Sequence, residues 1–115
     1  MKISTTATLY ATEFAPILLR GKLPQLFQTT AELGYDGIEL HLRRPEDVQA
    51  EEVLGLMQRH SLAVPTIGTG MAAGMDGLNF ASDDAAVREA AVAIIGRHIE
   101  LAARLGAGVT LGLIV

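Results

Sequence analysis

Strand-like and helix-like patterns alternate along this chain, and the alternation limits the possible folds more than any single motif does. Short apolar runs predict buried strands, and longer segments with apolar residues at three- and four-residue spacing predict helices between them. The predicted strands are Lys2–Ala7, Gly37–Leu42, Ala63–Thr69 and Val109–Val115. Because strands and helices follow one another repeatedly, the sequence predicts an α/β fold with right-handed crossovers and a parallel sheet.

Three helices are predicted in this pattern. The first spans about Lys22–Leu33, and the second begins near Ala50. The third begins after Ser82 or Asp83, since either side chain can cap its first turn. One apolar stripe of the third helix is expected to be buried: Val87, Ala91, Ile94, Ile95, His98, Ala102 and Leu105.

Two segments are predicted as loops, namely Thr8–Arg20 and Gly70–Ser82. The second contains three glycines and no periodicity, which is typical of a long loop over a functional site. Gly68, Gly70 and Gly74 invite comparison with a dinucleotide-binding loop, but their spacing differs from the required pattern, and no helix is predicted directly after them. A loop over the carboxyl ends of the strands is the favoured interpretation.

Length adds a constraint on the architecture. The 115 residues, 50% of them hydrophobic, suit a single domain over residues 1–115, whereas a complete (β/α)₈ barrel needs about 200–250 residues. The segments AELGYDGIEL and AARLGAGVTL both contain a helix end, Leu-Gly, a turn and a strand. Such a repeat is typical of a barrel and also compatible with an open, doubly wound sheet. We expect a parallel (β/α) half-barrel, with strands one to four of a (β/α)₈ barrel.

The stretch GYDGIELHL contains two ionisable residues, Glu39 and His41, inside a predicted buried strand. Side chains alternate along a strand, so these two share one face about 6–7 Å apart. The opposite face is apolar: Ile38, Leu40 and Leu42. In a barrel the pair would point into the lumen near the carboxyl end of the strand, where barrel active sites lie. The structural alternative places His41 in water and bonds Glu39 to a neighbouring strand, at Ser4 or Thr66 for example.

Further polar residues follow the predicted strands. Thr69, Asp76 and Asn79 come after the third strand and are candidates for contacts with a polyol. Arg43 and Arg44 follow the second strand, where they either lie in a solvated loop or recognise phosphate. In a parallel sheet all of these residues would lie towards the same edge, at the carboxyl ends of the strands.

The other histidines have structural interpretations. His60 ends the second helix, where it favourably meets the negative end of the helix dipole. His98 lies on the buried stripe and is interpreted as a hydrogen-bonded core residue. The sequence has no cysteine, no HExxH motif and no clustered acidic group, so no complete metal site can be assembled from it.

Charge and hydropathy narrow the function classes. Nine Lys and Arg against 13 Asp and Glu give a net charge of -4 without a basic block, so nucleic acid is not an expected partner. No apolar run reaches the roughly 18–20 residues of a membrane span, and no leader pattern precedes the first strand. With no cysteine for disulfides, we expect a soluble, cytoplasmic protein.

Three segments taken in order resemble the sugar phosphate isomerase/epimerase family of xylose isomerase-like TIM barrels: GYDGIELHLRRPED, AVPTIGTG, and the segment from DGLNF to LGLIV. The resemblance covers essentially the whole chain and implies the amino-terminal half of such a barrel. It also implies a divalent cation, Mn²⁺, Mg²⁺ or Co²⁺, in the complete barrel, with ligands from strands five to eight. No metal ligand therefore carries over to this chain. Substrate-side residues do carry over: Glu39, His41, Thr69 and Asn79.

The implied function is a metal-dependent sugar or sugar-phosphate isomerase or epimerase, in which a proton moves next to a carbonyl. The chain alone is expected to be inactive. Its expected partners are a small sugar or sugar phosphate, and either the missing carboxyl-terminal half-barrel or a second copy of itself. The alternative is a non-catalytic half-barrel that homodimerises as an assembly or binding module. A relation to apurinic endonucleases, which share the barrel, is disfavoured by the acidic charge.

Overall fold

Five parallel strands form one sheet in the computed structural model, which describes residues 1–10 and 17–115. Along the chain they are β1 (Ser4–Thr8), β2 (Leu19–Arg20), β3 (Gly37–His41), β4 (Thr66–Gly68) and β5 (Gly108–Thr110). The order across the sheet is β2-β1-β3-β4-β5, and each neighbouring pair is parallel. The predicted α/β fold with a parallel sheet is confirmed.

The described residues form four α-helices: α1 (Leu23–Glu32), α2 (Ala50–His60), α3 (Gly70–Asp76) and α4 (Ala85–Leu105). Short 3₁₀ helices lie at Pro45–Asp47 and Gly112–Ile114. None of the helices in this described part of the chain is both long enough and apolar enough to cross a membrane.

Helix α4 is capped later than predicted. The Asp84 side chain accepts a hydrogen bond from the Ala86 amide at 2.9 Å, which satisfies a free N–H of the first turn. The cap predicted at Ser82 or Asp83 is therefore wrong, because the Ser82 hydroxyl instead accepts from the Asp84 amide in the preceding turn.

One face of the sheet, called here the outer face, is covered by α1, α2 and α4. Helix α1 contacts β3, and α4 contacts β4 and β5. The apolar residues Ile38, Leu40 and Leu42 are fully buried in this core, together with Phe27 of α1 and Val53 of α2. The alternation predicted for β3 is confirmed on its apolar side.

Strand β2 lies where a loop was predicted. Leu19 and Arg20 pair with Ala7 and Thr8 of β1, and the Gly21 amide donates to the Thr8 carbonyl at 3.2 Å. The loop prediction is wrong for these two residues because the chain returns along the otherwise unpaired edge of β1. The part of that prediction that falls on residues 11–16, with Pro16, lies outside the described residues.

Helix α3 also replaces part of a predicted loop. Met71 and Ala72 are buried, and Ala72 joins a second apolar cluster with Ile94, Ile95 and other residues of α4. Burial of these residues compensates for the helix-weakening glycines, so the prediction of a loop throughout Gly70–Ser82 is wrong. The prediction that no helix begins directly after the TIGTG glycines is wrong for the same reason.

The last predicted strand is much shorter in the structure. Strand β5 ends at Thr110, and Gly112, with φ of 56°, turns the chain into a 3₁₀ helix that buries Ile114 against α3 and α4. The prediction of a strand through Val115, covered on both faces, is wrong. Three apolar side chains beside β5 are exposed by 40%, 61% and 66%: Leu111, Leu113 and Val115.

His98 is a core residue, as predicted, but without the expected hydrogen bonds. Its side chain is fully buried, and neither ring nitrogen has a hydrogen-bond partner among residues 1–10 and 17–115. Burial lowers the pKa of His98 to about 4, although the nearby Glu46 carboxylate opposes the shift. His60 closes α2, and its ring centroid lies 6.5 Å from that of Phe27.

Candidate functional site

The sheet face opposite the outer face is polar, and we call it the inner wall. Strand register places Thr6 and Thr8 of β1 beside Glu39 and His41 of β3, and Gly68 of β4 on the other side of His41. Alternation and pairing add further residues of β4 and β5 to this face: Thr66 and Thr110. Pairing also places Arg20 of β2 beside Thr8, at the border of this face. Within the described residues, the inner wall thus combines hydroxyls with the Glu39 carboxylate and the His41 imidazole.

Glu39 and His41 are hydrogen-bonded to each other. The His41 Nε2 atom lies 2.7 Å from Glu39 Oε1, and the two side chains are 13% and 23% exposed respectively. The predicted shared face is confirmed. In the structural alternative Glu39 would bond to Ser4 or Thr66 and His41 would lie in water, but the observed partner of Glu39 is His41, which is mostly shielded.

Gly68 provides the space in which the His41 ring lies. A Cβ atom at this position would lie 2.5 Å from His41 Nδ1 and 2.6 Å from Cε1, closer than any packed contact permits. The ring therefore rests directly against the backbone of β4. Sequence reasoning assigned this glycine to loop shaping and missed its contact with His41, since that contact crosses from one strand to the next.

The threonines of the inner wall are hydrogen-bonded. Thr66 Oγ1 and Thr110 Oγ1 lie 2.7 Å apart, and Thr8 Oγ1 donates to the Met71 sulfur at 3.7 Å while accepting from the Tyr10 amide at 3.3 Å. Because Met71 belongs to α3, this helix lies on the inner side of the sheet. The sequence did not predict these hydrogen-bonded hydroxyls, although Thr6 and Thr8 alternate in the segment STTAT.

Two other predicted substrate residues lie around α3. Thr69 is fully buried, and its hydroxyl donates to the carbonyls of Thr110 and Leu111 at 2.8 and 2.9 Å, which fixes the start of α3 to β5. Asn79 follows α3, half-buried, and its amide donates to the Gly77 carbonyl at 3.5 Å. Substrate binding by Thr69 and Asn79 stays a prediction.

The arginine that follows the inner wall is held by α3. Arg43 Nε donates to both carboxylate oxygens of Asp76 at 3.0 and 2.9 Å, and the Nη2 atom also contacts Oδ1. These hydrogen bonds hold the pKa of Asp76 below its usual value and raise the pKa of Arg43. The Nε atom of Arg44 lies 3.7 Å from Oδ1 of Asp47, so both arginines have carboxylate neighbours.

The described residues do not fit a metal ion. Across residues 1–10 and 17–115, no group of three or more histidine and acidic side chains converges. The Glu39–His41 pair offers two potential ligands, which already bond to each other. A divalent cation in the complete barrel remains an expectation from the resemblance.

A surface pocket of about 380 Å³ lies at the other end of the sheet. It is lined near the amino ends of the strands by Lys2, Ser4, Asp36, Ser61 and Pro65, among others. Lys2 and Asp36 form an ion pair there at 3.4 Å. Because parallel α/β folds place their chemistry at the carboxyl ends of the strands, we assign the candidate site to the inner wall.

Comparison with known proteins supports the same architecture. A family model described as xylose isomerase-like TIM barrel matches residues 27–113. The crystal structure of a D-psicose 3-epimerase, determined in the presence of D-fructose, matches with a TM-score of 0.67 and 22% sequence identity. The match covers 94% of this chain and 37% of that chain, so the predicted half-barrel is confirmed. No curated protein sequence matches.

Proposed function

The chain belongs to the xylose isomerase-like TIM barrel family, and on that premise we propose that it forms the first half of a sugar or sugar-phosphate isomerase or epimerase. The observation that carries the proposal is the hydrogen-bonded Glu39–His41 pair on a polar wall at the carboxyl ends of parallel strands. The matched D-psicose 3-epimerase supports the same class of reaction.

The Glu39–His41 pair suits proton transfer beside a carbonyl. When the Nε2–H of His41 donates its hydrogen bond to the Glu39 carboxylate, the neutral ring keeps a lone pair on Nδ1. The Nδ1 atom lies against the Gly68 backbone, where a Cβ atom would come within 2.5 Å of it. We propose that the partly exposed Glu39–His41 pair accepts a proton from a sugar hydroxyl on the inner wall.

The threonine hydroxyls suit a polyol. Each hydroxyl donates one hydrogen bond and accepts others, so Thr66 and Thr110 can exchange their mutual bond for bonds to sugar hydroxyls. Thr6, opposite Glu39 on β1, extends this surface. The inner wall would therefore orient the sugar chain while Glu39 and His41 act on one of its hydroxyls.

We propose that a divalent cation, Mn²⁺, Mg²⁺ or Co²⁺, is supplied with the other half of the barrel. Such an ion polarises the carbonyl oxygen when bound. Because the described side chains bring no metal-binding group together, this chain alone is expected to be inactive.

The border of the sheet at β5 supports a partner that completes the barrel. In the described part of the chain, β5 pairs with β4 and has no strand on its other side. The exposed Leu111, Leu113 and Val115 lie directly after it. An unpaired strand edge beside apolar side chains favours further strands there, so we propose a carboxyl-terminal half-barrel as the partner.

The same border supports a second candidate function, a half-barrel that pairs with its own copy and has no catalytic role. Two copies could cover their exposed β5 borders in a closed dimer. This candidate predicts a stable homodimer that takes up no Mn²⁺. Size-exclusion chromatography with light scattering, combined with metal analysis, distinguishes it from the leading proposal.

The decisive experiment uses a completed barrel, meaning this chain co-expressed with a carboxyl-terminal half-barrel of the same family and purified as a one-to-one complex. In D₂O with Mn²⁺, the complex should exchange the hydrogen next to the carbonyl of a ketose or aldose, followed by NMR. Glu39→Gln should slow exchange at least about 100-fold, whereas Glu32→Gln, on exposed α1 surface, should not change it. A stable complex without exchange on any sugar or sugar phosphate would overturn the isomerase proposal.

A further inference from the structure

Arg43 is the charged side chain that directly continues the inner wall beyond His41. Strand pairing extends past β3, because the Leu42 amide donates to the Gly68 carbonyl at 3.2 Å. Strand β3 itself ends at His41, and the chain bends at Arg43. The hydrogen bonds from Arg43 to Asp76 of α3, which lies on the inner side of the sheet, place the guanidinium beside the inner wall. It is thus a candidate to contact a phosphate group on a sugar bound there.

The carboxylate of Asp76 forms an ion pair with that guanidinium. Two hydrogen bonds from Nε and one contact from Nη2 join Arg43 to the carboxylate. The planar fork that would match a phosphate is thereby used by a carboxylate of the chain itself. The lowered pKa of Asp76 keeps that carboxylate charged, and its charge also repels an approaching anion.

The position of Asp76 is fixed by the rest of α3. Thr69 attaches the beginning of the helix to the carbonyls after β5, and Met71 contacts Thr8 on the inner wall. Asp76 ends the helix, and Gly77, with φ of 66°, turns the chain away. The contact between Asp76 and Arg43 therefore belongs to a helix whose beginning is anchored to β5 and to the inner wall.

We propose that Asp76 is a specificity-determining residue, which holds Arg43 so that the inner wall admits an uncharged sugar and rejects its phosphate ester. The inference rests on the proposed function, and it narrows the substrate class from sugars and sugar phosphates to free sugars. Among the described residues of β1, β3, β4 and β5, the remaining inner-wall groups are hydroxyls, the Glu39 carboxylate and the His41 imidazole, which match a neutral polyol, while Arg20 lies at the β2 border of this face.

The first test uses the chain with inorganic phosphate, followed through the NMR signals of the Arg43 Nε–H and the His41 ring. Asp76→Asn should raise phosphate affinity at this position about tenfold, because the released guanidinium gains a charge-assisted contact. Adding Arg43→Gln to Asp76→Asn should abolish the gain. Glu51→Gln is the matched control, since it removes the same charge and releases Arg104 on the helical side. It should change the phosphate affinity measured at Arg43 and His41 less than twofold.

Asp76→Ser serves as a second variant, in case the asparagine amide itself holds Arg43 in place of the carboxylate. Unchanged phosphate affinity in both Asp76 variants, or a gain that survives Arg43→Gln, would overturn the proposal.

The second test compares a ketohexose with its 6-phosphate in the completed barrel. We expect kcat/KM to favour the free sugar at least about tenfold, and Asp76→Asn to reduce that preference about tenfold. A parent complex that prefers the phosphate ester would contradict the proposal. Turnover of neither compound would count against the proposed function, while the phosphate titration would still decide whether Asp76 controls Arg43.

Discussion

The two faces of the sheet are built from the same strands but by different means. On the outer face, fully buried aliphatic and aromatic residues such as Ile38, Leu40 and Phe27 pack beneath three helices. On the inner wall, Glu39 and His41 remain partly exposed and hydrogen-bonded. Apolar burial is favoured nearly wherever shapes fit, whereas the polar groups need specific partners. Stability therefore resides mainly in the outer face, and we propose that the chemistry takes place at the inner wall.

The largest expected effect separates the two faces by stability. Phe27→Ala should lower the free energy of unfolding by about 3–5 kcal/mol, because it leaves a cavity in the outer core. Glu39→Gln should change it by less than about 1.5 kcal/mol, since the side chain is partly solvated and one hydrogen bond is altered. Urea denaturation measures both. Comparable losses of unfolding free energy in the two variants would contradict this difference between the two faces.

The next effect concerns the pH dependence of the outer core. The unfolded chain binds a proton at His98 near pH 6.5, but the folded chain does so only near pH 4. Stability should therefore fall as pH drops from about 6.5 to about 4, by roughly 3 kcal/mol at most. His98→Leu should flatten this part of the profile. If the variant and the parent lost stability in parallel over that range, the dependence would belong to other groups.

The smallest effect sharpens the account of the inner wall. Gly68→Ala should cost about 1–3 kcal/mol and displace His41 from Glu39, because the added Cβ overlaps the ring. Gly96→Ala is the matched control on α4, where an added Cβ meets nothing within 4 Å. That control should stabilise the chain by about 0.5–1 kcal/mol. An undisturbed His41 ring signal in Gly68→Ala would contradict the packing described for this residue.

The outer face was predictable because its signal is local. Alternation in β3 and the apolar stripes of the helices are repeated patterns within single elements, and buried residues of α4 such as Ile94 and Leu105 followed from spacing alone. The position of Glu39 beside His41 followed from the same two-residue period. That much of the site could be read from one strand.

The missed features all depend on contacts between distant segments. Strand β2 forms because the edge of β1 is available, and α3 forms because Met71 and Ala72 meet residues far along the chain. The Asp76–Arg43 pair and the contact of Gly68 with His41 likewise join separate units. Glycine-rich composition favoured a loop locally, and tertiary packing overrode it.

The most direct test of the central claim uses the three histidines of the chain. His41 lies on the inner wall, whereas His60 and His98 belong to the helices on the outer face. In the completed barrel, ¹⁵N NMR of the imidazoles is recorded while a ketohexose is added. We predict a saturable shift of the His41 ring nitrogen signals, with His60 and His98 unchanged. Saturating sugar that leaves His41 unaffected, or shifts only the helical histidines, would contradict it.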